Sequence, residues 1–214
     1  MSKTIRPHIG RPPGPNSTKQ ARAIRTRELI LAAAAEHFDT HAYTDAGVNP
    51  ILATGNLTKG AIYFHFPSKE AIAQELVTDW IRTVTEVVTS TTEEHVTAAE
   101  HLTAIFGSLA QSVADDTKLR AGMKLSVEPA LSDAVSFAHW VDAVADIVDA
   151  GIKAGEIPDT PTSHRLAWNL CAGTVGAAHA GVALREDIAL ITRIDDVVSA
   201  HIAAALAPSV FFAQ

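Results

Sequence analysis

The sequence predicts an all-α protein: a three-helix head containing a helix-turn-helix, followed by a larger helical body. Three observations predict it. Apolar residues recur at three- and four-residue spacing through most of the chain, and no segment alternates in the manner of a strand. Only 6% of residues are aromatic and alanine is abundant, which suits closely packed helices. The stretch Val48 to Phe66, VNPILATGNLTKGAIYFHF, reads as two short helices around a tight turn.

Residues 1–18, MSKTIRPHIGRPPGPNST, are rich in Pro, Gly and basic residues and are expected to form a flexible basic arm. Gly10-Arg11-Pro12 resembles the core of an AT-hook, a basic element that can enter a minor groove. A plain flexible tail is the simpler reading of the same three residues. Lys19 to Thr40 is predicted as the first helix, with Ile24, Leu31, Ala34 and Phe38 on its apolar face. Arg22, Arg25, Thr26 and Arg27 lie toward its start, within reach of phosphates. His37 and His41 have a spacing that can ligate a metal on a helix, but no carboxylate or thiol completes a set. A surface pair is expected, and no metal or cofactor.

Within the helix-turn-helix, Ile51, Leu52, Leu57 and Ile62 supply an apolar inside. Pro50 is tolerable in a first helical turn, where its missing N–H has no intrahelical role. Gly55-Asn56 supplies the turn, since both residues tolerate positive φ. Thr58 is a good N-cap for the second helix, because its hydroxyl can accept a free N–H of the first turn. Residues 19–67 are therefore expected to form the DNA-binding head and 68–214 the body.

Ser68 can cap a long helix to about Ser90, with Ile72, Leu76, Trp80, Ile81, Val84 and Val88 inward. A further helix is expected from Thr92-x-x-His95 to Val113, with Leu102, Ile105, Phe106 and Leu109 inward. Asp115-Asp116 ends it. The segment TKLRAGMKLSVEPAL follows, closed by Pro129 and Ser132-Asp133. Helices are then expected over about 133–155, from Thr162/Ser163 to Leu184, and over 186–207. Ile188, Ile191, Ile194, Val198, Ile202 and Leu206 line the inner face of the last one.

The net charge of −7 hides an asymmetry: residues 1–70 carry nine Lys/Arg against five Asp/Glu, leaving −11 on the rest. A basic head on an acidic body fits a protein that touches phosphate with one end only. No apolar run is long enough to span a bilayer, and no apolar stretch follows the N-terminal basic residues as in a secretory leader. Cys171 has no partner for an internal disulfide and fits a reducing cytoplasm.

TKGAIYFHFPSKEAIA (Thr58 to Ala73) resembles the DNA-binding segment of the TetR family of bacterial repressors. The family pattern T/S-K-G-x-x-Y-x-x-F-x-x-K-E is matched by Thr58, Lys59, Gly60, Tyr63, Phe66, Lys69 and Glu70. Asn56 departs from the Gly usual in the turn. A helix-turn-helix lays its second helix in the major groove, N-terminal residues nearest the bases. Lys59 is then the candidate for bases, since Lys can donate to guanine O6 and N7. Gly60 permits close backbone approach. Thr58, Tyr63, His65 and Lys69 are candidates for phosphates or thymine methyls, with Thr26, Arg25 and Arg11 as outer contacts. Tyr63 in the core is the alternative.

KLRAGMKLSVEP (Lys118 to Pro129), followed by Phe137-x-x-Trp140, is similar to the γ-butyrolactone receptors, a branch of the same family. The resemblance implies that Trp140 lines a ligand pocket, whereas its helical position alone is equally that of a core residue. Phe137, Leu125, Val127, Thr174, His179, Phe106 and Val144 are further pocket candidates, the last two more in keeping with core. It also implies a homodimer through the last two helices, double-stranded operator DNA as one partner and a small hydrophobic ligand, butyrolactone-like, as the other. A drug or a fatty-acyl derivative is the alternative ligand. An enzyme built on Ser163-His164 or Ser132-Asp133 is a different class, but no G-x-S-x-G, HExxH, phosphate loop or CxxC accompanies those residues. A scaffold that has lost DNA binding is the third reading, opposed by the intact Thr58-Lys59-Gly60.

Overall fold

The computed structural model describes residues 15–91, 97–131, 135–184 and 188–207. Nine α-helices run in chain order through them: α1 Pro15–Thr40, α2 Val48–Gly55, α3 Lys59–His65, α4 Lys69–Ser90, α5 Ala98–Asp115, α6 Thr117–Leu125, α7 Val135–Ala154, α8 Leu166–Leu184 and α9 Leu190–Leu206. Short 3₁₀ turns occupy Pro129–Leu131 and Ser163–Arg165, and no strand occurs among the described residues. Gly10, Arg11 and Pro12, the Thr92 and His95 start of the fifth helix, and Ser132-Asp133 lie outside the described residues.

Two apolar clusters organise the chain. Ile30, Leu31, Phe38, Ile51, Ile62 and Phe66 form the head core. Leu102, Ile105, Phe106, Trp140, Leu170 and Ile194 anchor the body core. Helix α4 enters both, giving Ile72 and Leu76 to the head and Trp80 and Val84 to the body. A boundary at residue 67 therefore cuts through packing. The head core also takes Ala121 and Leu125 from α6.

The helix ends follow local chemistry. The Ser68 hydroxyl accepts from Ala71 N at 3.2 Å and starts α4. Thr97 and Glu100 form a reciprocal capping box, which fixes the start of α5 at Ala98. Asp116 closes α5 and caps α6 by accepting from Lys118 N at 2.7 Å. Gly155, with φ of +76°, stops α7.

Four expectations need correction. Helix α1 begins at Pro15, so 15–18 are helix rather than arm. Pro at a first helical position has its φ already set and lacks only an N–H the helix does not use. Ile24 is 58% exposed, because the head core begins at Ile30 and leaves the first half of α1 unsupported. TKLRAGMKL, for which the sequence predicts no helix, is a helix in its own right. Ile188 and Leu206 are exposed in the single chain, at the two ends of α9 where packing thins.

Candidate DNA interface and ligand cavities

Helix α2 ends at Asn56, whose φ of 48° and ψ of 45° are left-handed; its N–H donates to Ala53 O and Leu52 O. Leu57 N donates to Leu52 O at 2.9 Å and completes the turn. A short polar residue reaches this conformation at low cost, so Asn replaces Gly here without disturbing the motif. Thr58 caps α3 by accepting from Ala61 N at 3.2 Å. Ile62 and Phe66 are buried and fix which face of α3 points out.

That outer face carries Thr58, Lys59 and Gly60, all exposed, with Tyr63 at 48% and Phe64 at 81%. Tyr63 is therefore not core. A Cβ at Gly60 would meet nothing within 4 Å, so the backbone there faces open space. His65 is half-buried and stands edge-on to Phe64, ring centroids 5.0 Å apart. Phe64 was not among the expected contacts; the family pattern leaves its position unspecified, and only the exposed face reveals it.

The other expected contacts divide. Arg25 is exposed and Thr26 half-buried, its hydroxyl donating to Arg22 O at 3.0 Å. Arg11 lies outside the described residues. Lys69 is turned inward: its Nζ donates to Tyr43 O at 2.8 Å and sits 4.0 Å from the centre of the Tyr43 ring. It braces the α1–α2 connection rather than standing free for phosphate. Burial and then the neighbouring Glu70 carboxylate push the Tyr43 hydroxyl up to about 12, so it remains protonated at neutral pH.

In the body, Trp140 is fully buried at the centre of an aromatic group. Trp80 meets it edge-to-face at 5.1 Å, Phe137 edge-to-face at 6.0 Å and Phe106 tilted at 6.0 Å. The indole N–H groups of Trp80 and Trp140 are buried, and neither meets a protein acceptor. Buried indoles usually find one, so this is the polar feature of an otherwise apolar region. Phe106 and Val144 are fully buried beside it, and Phe137 is half-buried. Thr174 is buried too, but its hydroxyl already donates to Leu170 O at 2.8 Å. Val127 is exposed and faces no part of this group.

Leu125 and His179 belong elsewhere. They line a cavity of about 250 Å³ at the head–body junction, with Tyr43, Lys124 and Glu128. His179 is exposed by area, yet the cavity edge desolvates its ring. Burial first, then the Lys124 charge, hold its pKa below the ordinary histidine value. A larger cavity of about 530 Å³ opens between α4, α5 and α7, lined by Val88, His101, Ile147 and Glu156 among others. The expected ligand set is thus split between the aromatic group and the junction, with Val127 in neither.

The remaining motifs are structural. Ser163 is buried and its hydroxyl donates to Pro158 O at 2.6 Å, while His164 lies 2.7 Å from Asp159; the two are not joined as nucleophile and base. The His37 and His41 rings are 4.3 Å apart, and among the described residues no three metal-binding side chains come together. No described helix is long and apolar enough to cross a membrane.

Residues 30–76 match the model of bacterial regulatory proteins of the tetR family. The fold extends the likeness over most of the chain: the structure of native TylP, a TetR regulator from Streptomyces fradiae, is 30% identical over 87% of this chain and 89% of TylP, with a TM-score of 0.64. The chain belongs to the TetR family. TetR-family proteins are regulators, not enzymes, in keeping with the separated Ser163 and His164. A γ-butyrolactone receptor (ArpA-like protein) has the same fold, with a TM-score of 0.63 at 24% identity over 86% of this chain and 100% of that one. The A-factor receptor protein of Streptomyces griseus is 36% identical over 140 residues, 65% of this chain but only 49% of that receptor. CprB from Streptomyces coelicolor A3(2) shares the TetR fold with a TM-score of 0.70 at 24% identity, over 88% of this chain and 92% of CprB.

Proposed function

We propose that the protein is a cytoplasmic, ligand-responsive transcriptional repressor that binds a near-palindromic operator as a homodimer and is released by a small hydrophobic signal of the butyrolactone class. The observation that carries the reading is the outer face of α3. Lys59, Gly60, Tyr63 and Phe64 stand in the open on a helix whose other side is held by Ile62 and Phe66. Lys59 at its start is in position to donate to guanine, and Phe64 offers an apolar face to thymine methyls. Arg25, and Arg11 from the arm, add phosphate contacts.

One head covers one half-site, so a dimer is needed to meet successive major grooves. Helices α8 and α9 supply the surface. Trp168 on α8 is 59% exposed, and a Cβ at Gly176 would meet nothing within 4 Å, which leaves room for close helix approach. The ligand reading is supported by the aromatic group. A lactone carbonyl is an uncharged acceptor that suits the two unmatched indole donors, although neither the junction cavity nor the larger one is lined by these rings. A fatty-acyl compound or a drug with one carbonyl meets the same requirement, so the chemical class rests on the similarity to the A-factor receptor.

The test is binding of the purified protein to DNA flanking its own gene, with and without a γ-butyrolactone or a lipid-phase extract of the host culture. Sequence-preferring binding that either one releases supports the reading. Binding that neither releases keeps the regulator and removes the butyrolactone. Absence of any preferred fragment removes the repressor.

A further inference from the structure

Helix α6 is the bridge between body and head; Ala121 and Leu125 give its hold on α1 an apolar part, and an ionic cluster adds a directional one. Asp39, one residue before the end of α1, is the centre of that hold. Each carboxylate oxygen has its own cation: Arg120 Nε and Nη2 reach Oδ2, each at 3.0 Å, and Lys124 Nζ lies 3.4 Å from Oδ1. Lys124 Nζ also donates to the Asp39 main-chain carbonyl. That carbonyl lies in the last turn of α1, where the helix supplies no donor and the dipole favours a cation. Arg120 is in turn fixed to the body, its Nη1 donating to Val113 O of α5 at 2.6 Å, while its Nη2 donates to Thr117 Oγ1 of its own helix at 3.1 Å.

The cluster is largely out of water. Lys124 is buried, and the Asp39 side chain is only 13% exposed. A second, outer attachment lies further up the same pair of helices, where Lys118 Nζ donates to Glu28 at 3.1 Å. Glu28 and Asp39 are separated along α1 by about 16 Å at 1.5 Å per residue. Two points that far apart fix the angle of α1, not merely its distance. Helix α1 carries Arg25 and packs on α2 and α3, so its angle is the angle of the head.

We infer that Asp39 is a positioning residue for DNA recognition: by clasping Arg120 and Lys124 it holds each head at the angle that matches one half-site spacing. The inference rests on the dimeric repressor reading. Without the Asp39 charge, Lys124 and Arg120 remain close together with no anion between them. The desolvated Lys124 then has reason to leave, and removing one partner of a buried ion pair is strongly disruptive. The head stays folded and keeps the apolar packing of Ala121 and Leu125 against it, but the directional ionic hold that fixes the angle of α1 on α6 is lost.

The experiment compares full-length wild type, Asp39→Asn and Lys59→Ala on the operator and on two versions whose half-sites are one base pair closer or farther. One base pair rotates a half-site by about 35° about the duplex axis, so a rigid dimer discriminates strongly. Wild type is expected to prefer its own spacing by about tenfold or more, and Asp39→Asn to compress that preference to about threefold or less, because its heads adapt. Lys59→Ala weakens all three duplexes together and leaves the ratio unchanged. An Asp39→Asn protein that melts at lower temperature but keeps the wild-type ratio assigns Asp39 to stability alone and overturns the inference. Should Asp39→Asn not yield a folded dimer, Glu28→Gln at the outer attachment takes its place: compression of the ratio supports the clasp and an unchanged ratio overturns it. Wild type that binds no duplex preferentially overturns the repressor reading, and the clasp with it.

Discussion

Replacing Gly122 by alanine tests the packing on which the bridge depends. Gly122 is buried in α6, and a Cβ there would run into the Leu76 main-chain carbonyl of α4, with Trp80 Cβ just behind at 3.1 Å. The obstacle is backbone, so no rotamer change relieves it and the two helices must separate by about an ångström to regain van der Waals distance. Alanine in a helix interior gains about 1 kcal/mol over glycine. Forcing an extra methyl into a well-packed core costs about 1–3 kcal/mol, and a backbone collision belongs at the upper end. The net expectation is a loss of about 1–2 kcal/mol. Gly107 in α5 is the control, because a Cβ there would meet nothing within 4 Å; its replacement by alanine is expected to gain about 0.5–1 kcal/mol. Urea denaturation reads both as a change of midpoint at constant slope. Equal responses of the two variants, or a Gly122→Ala protein at least as stable as wild type, would refute the close α4–α6 approach.

Three further outcomes are expected. Lys59→Ala should lose about 1–3 kcal/mol of operator affinity while melting and dimerising as wild type, measured by mobility shift and light scattering; unchanged affinity removes Lys59 from the interface. Trp140→Phe keeps a ring in the aromatic group but removes its N–H; operator binding should survive and ligand-driven release weaken, whereas a normal response assigns Trp140 to the core. His37 and His179 both have pKa values lowered from 6.5, first by burial, so between the folded value and 6.5 the unfolded chain holds more protons. Stability should therefore rise with pH through that window and be lost on acidification through it. His37→Gln should flatten that limb in a melting-temperature series from pH 7 to about 5.

Most of the fold was legible because most of its helices bury one face in one core. Helices α5 and α7 have apolar residues at the spacing a single seam requires, α4 keeps that spacing over enough turns to serve two cores in succession, and their ends have caps that can be read from the sequence, such as Ser68, Asp116 and Gly155. Helix α6 escaped for the opposite reason. It has nine residues, three of them cationic, and it is divided between two cores: Ala121 and Leu125 pack in the head and Met123 in the body. Its apolar residues do share a side, but a nine-residue stretch offers too few repeats for the period to stand out. The exposure of Ile24 has a related origin, since a helix keeps its period beyond the point where its packing partner ends.

The site shows the same limit in sharper form. The exposed residues of α3 lie within a few positions of one another, so a linear pattern reached most of that face, and Phe64 was missed only because the pattern leaves its position unspecified. Lys69 matched the pattern but is bonded to Tyr43, 26 residues earlier, and no rule along one helix could show that. Lys124 is the extreme case: a lysine in sequence reads as surface, and it is buried here because Asp39, 85 residues away, supplies both a carboxylate and a helix-terminal carbonyl. What a single sequence conveys is the part of recognition carried by consecutive residues. The coupling between body and head is carried by pairs far apart in the chain, and only the folded arrangement brings them into view.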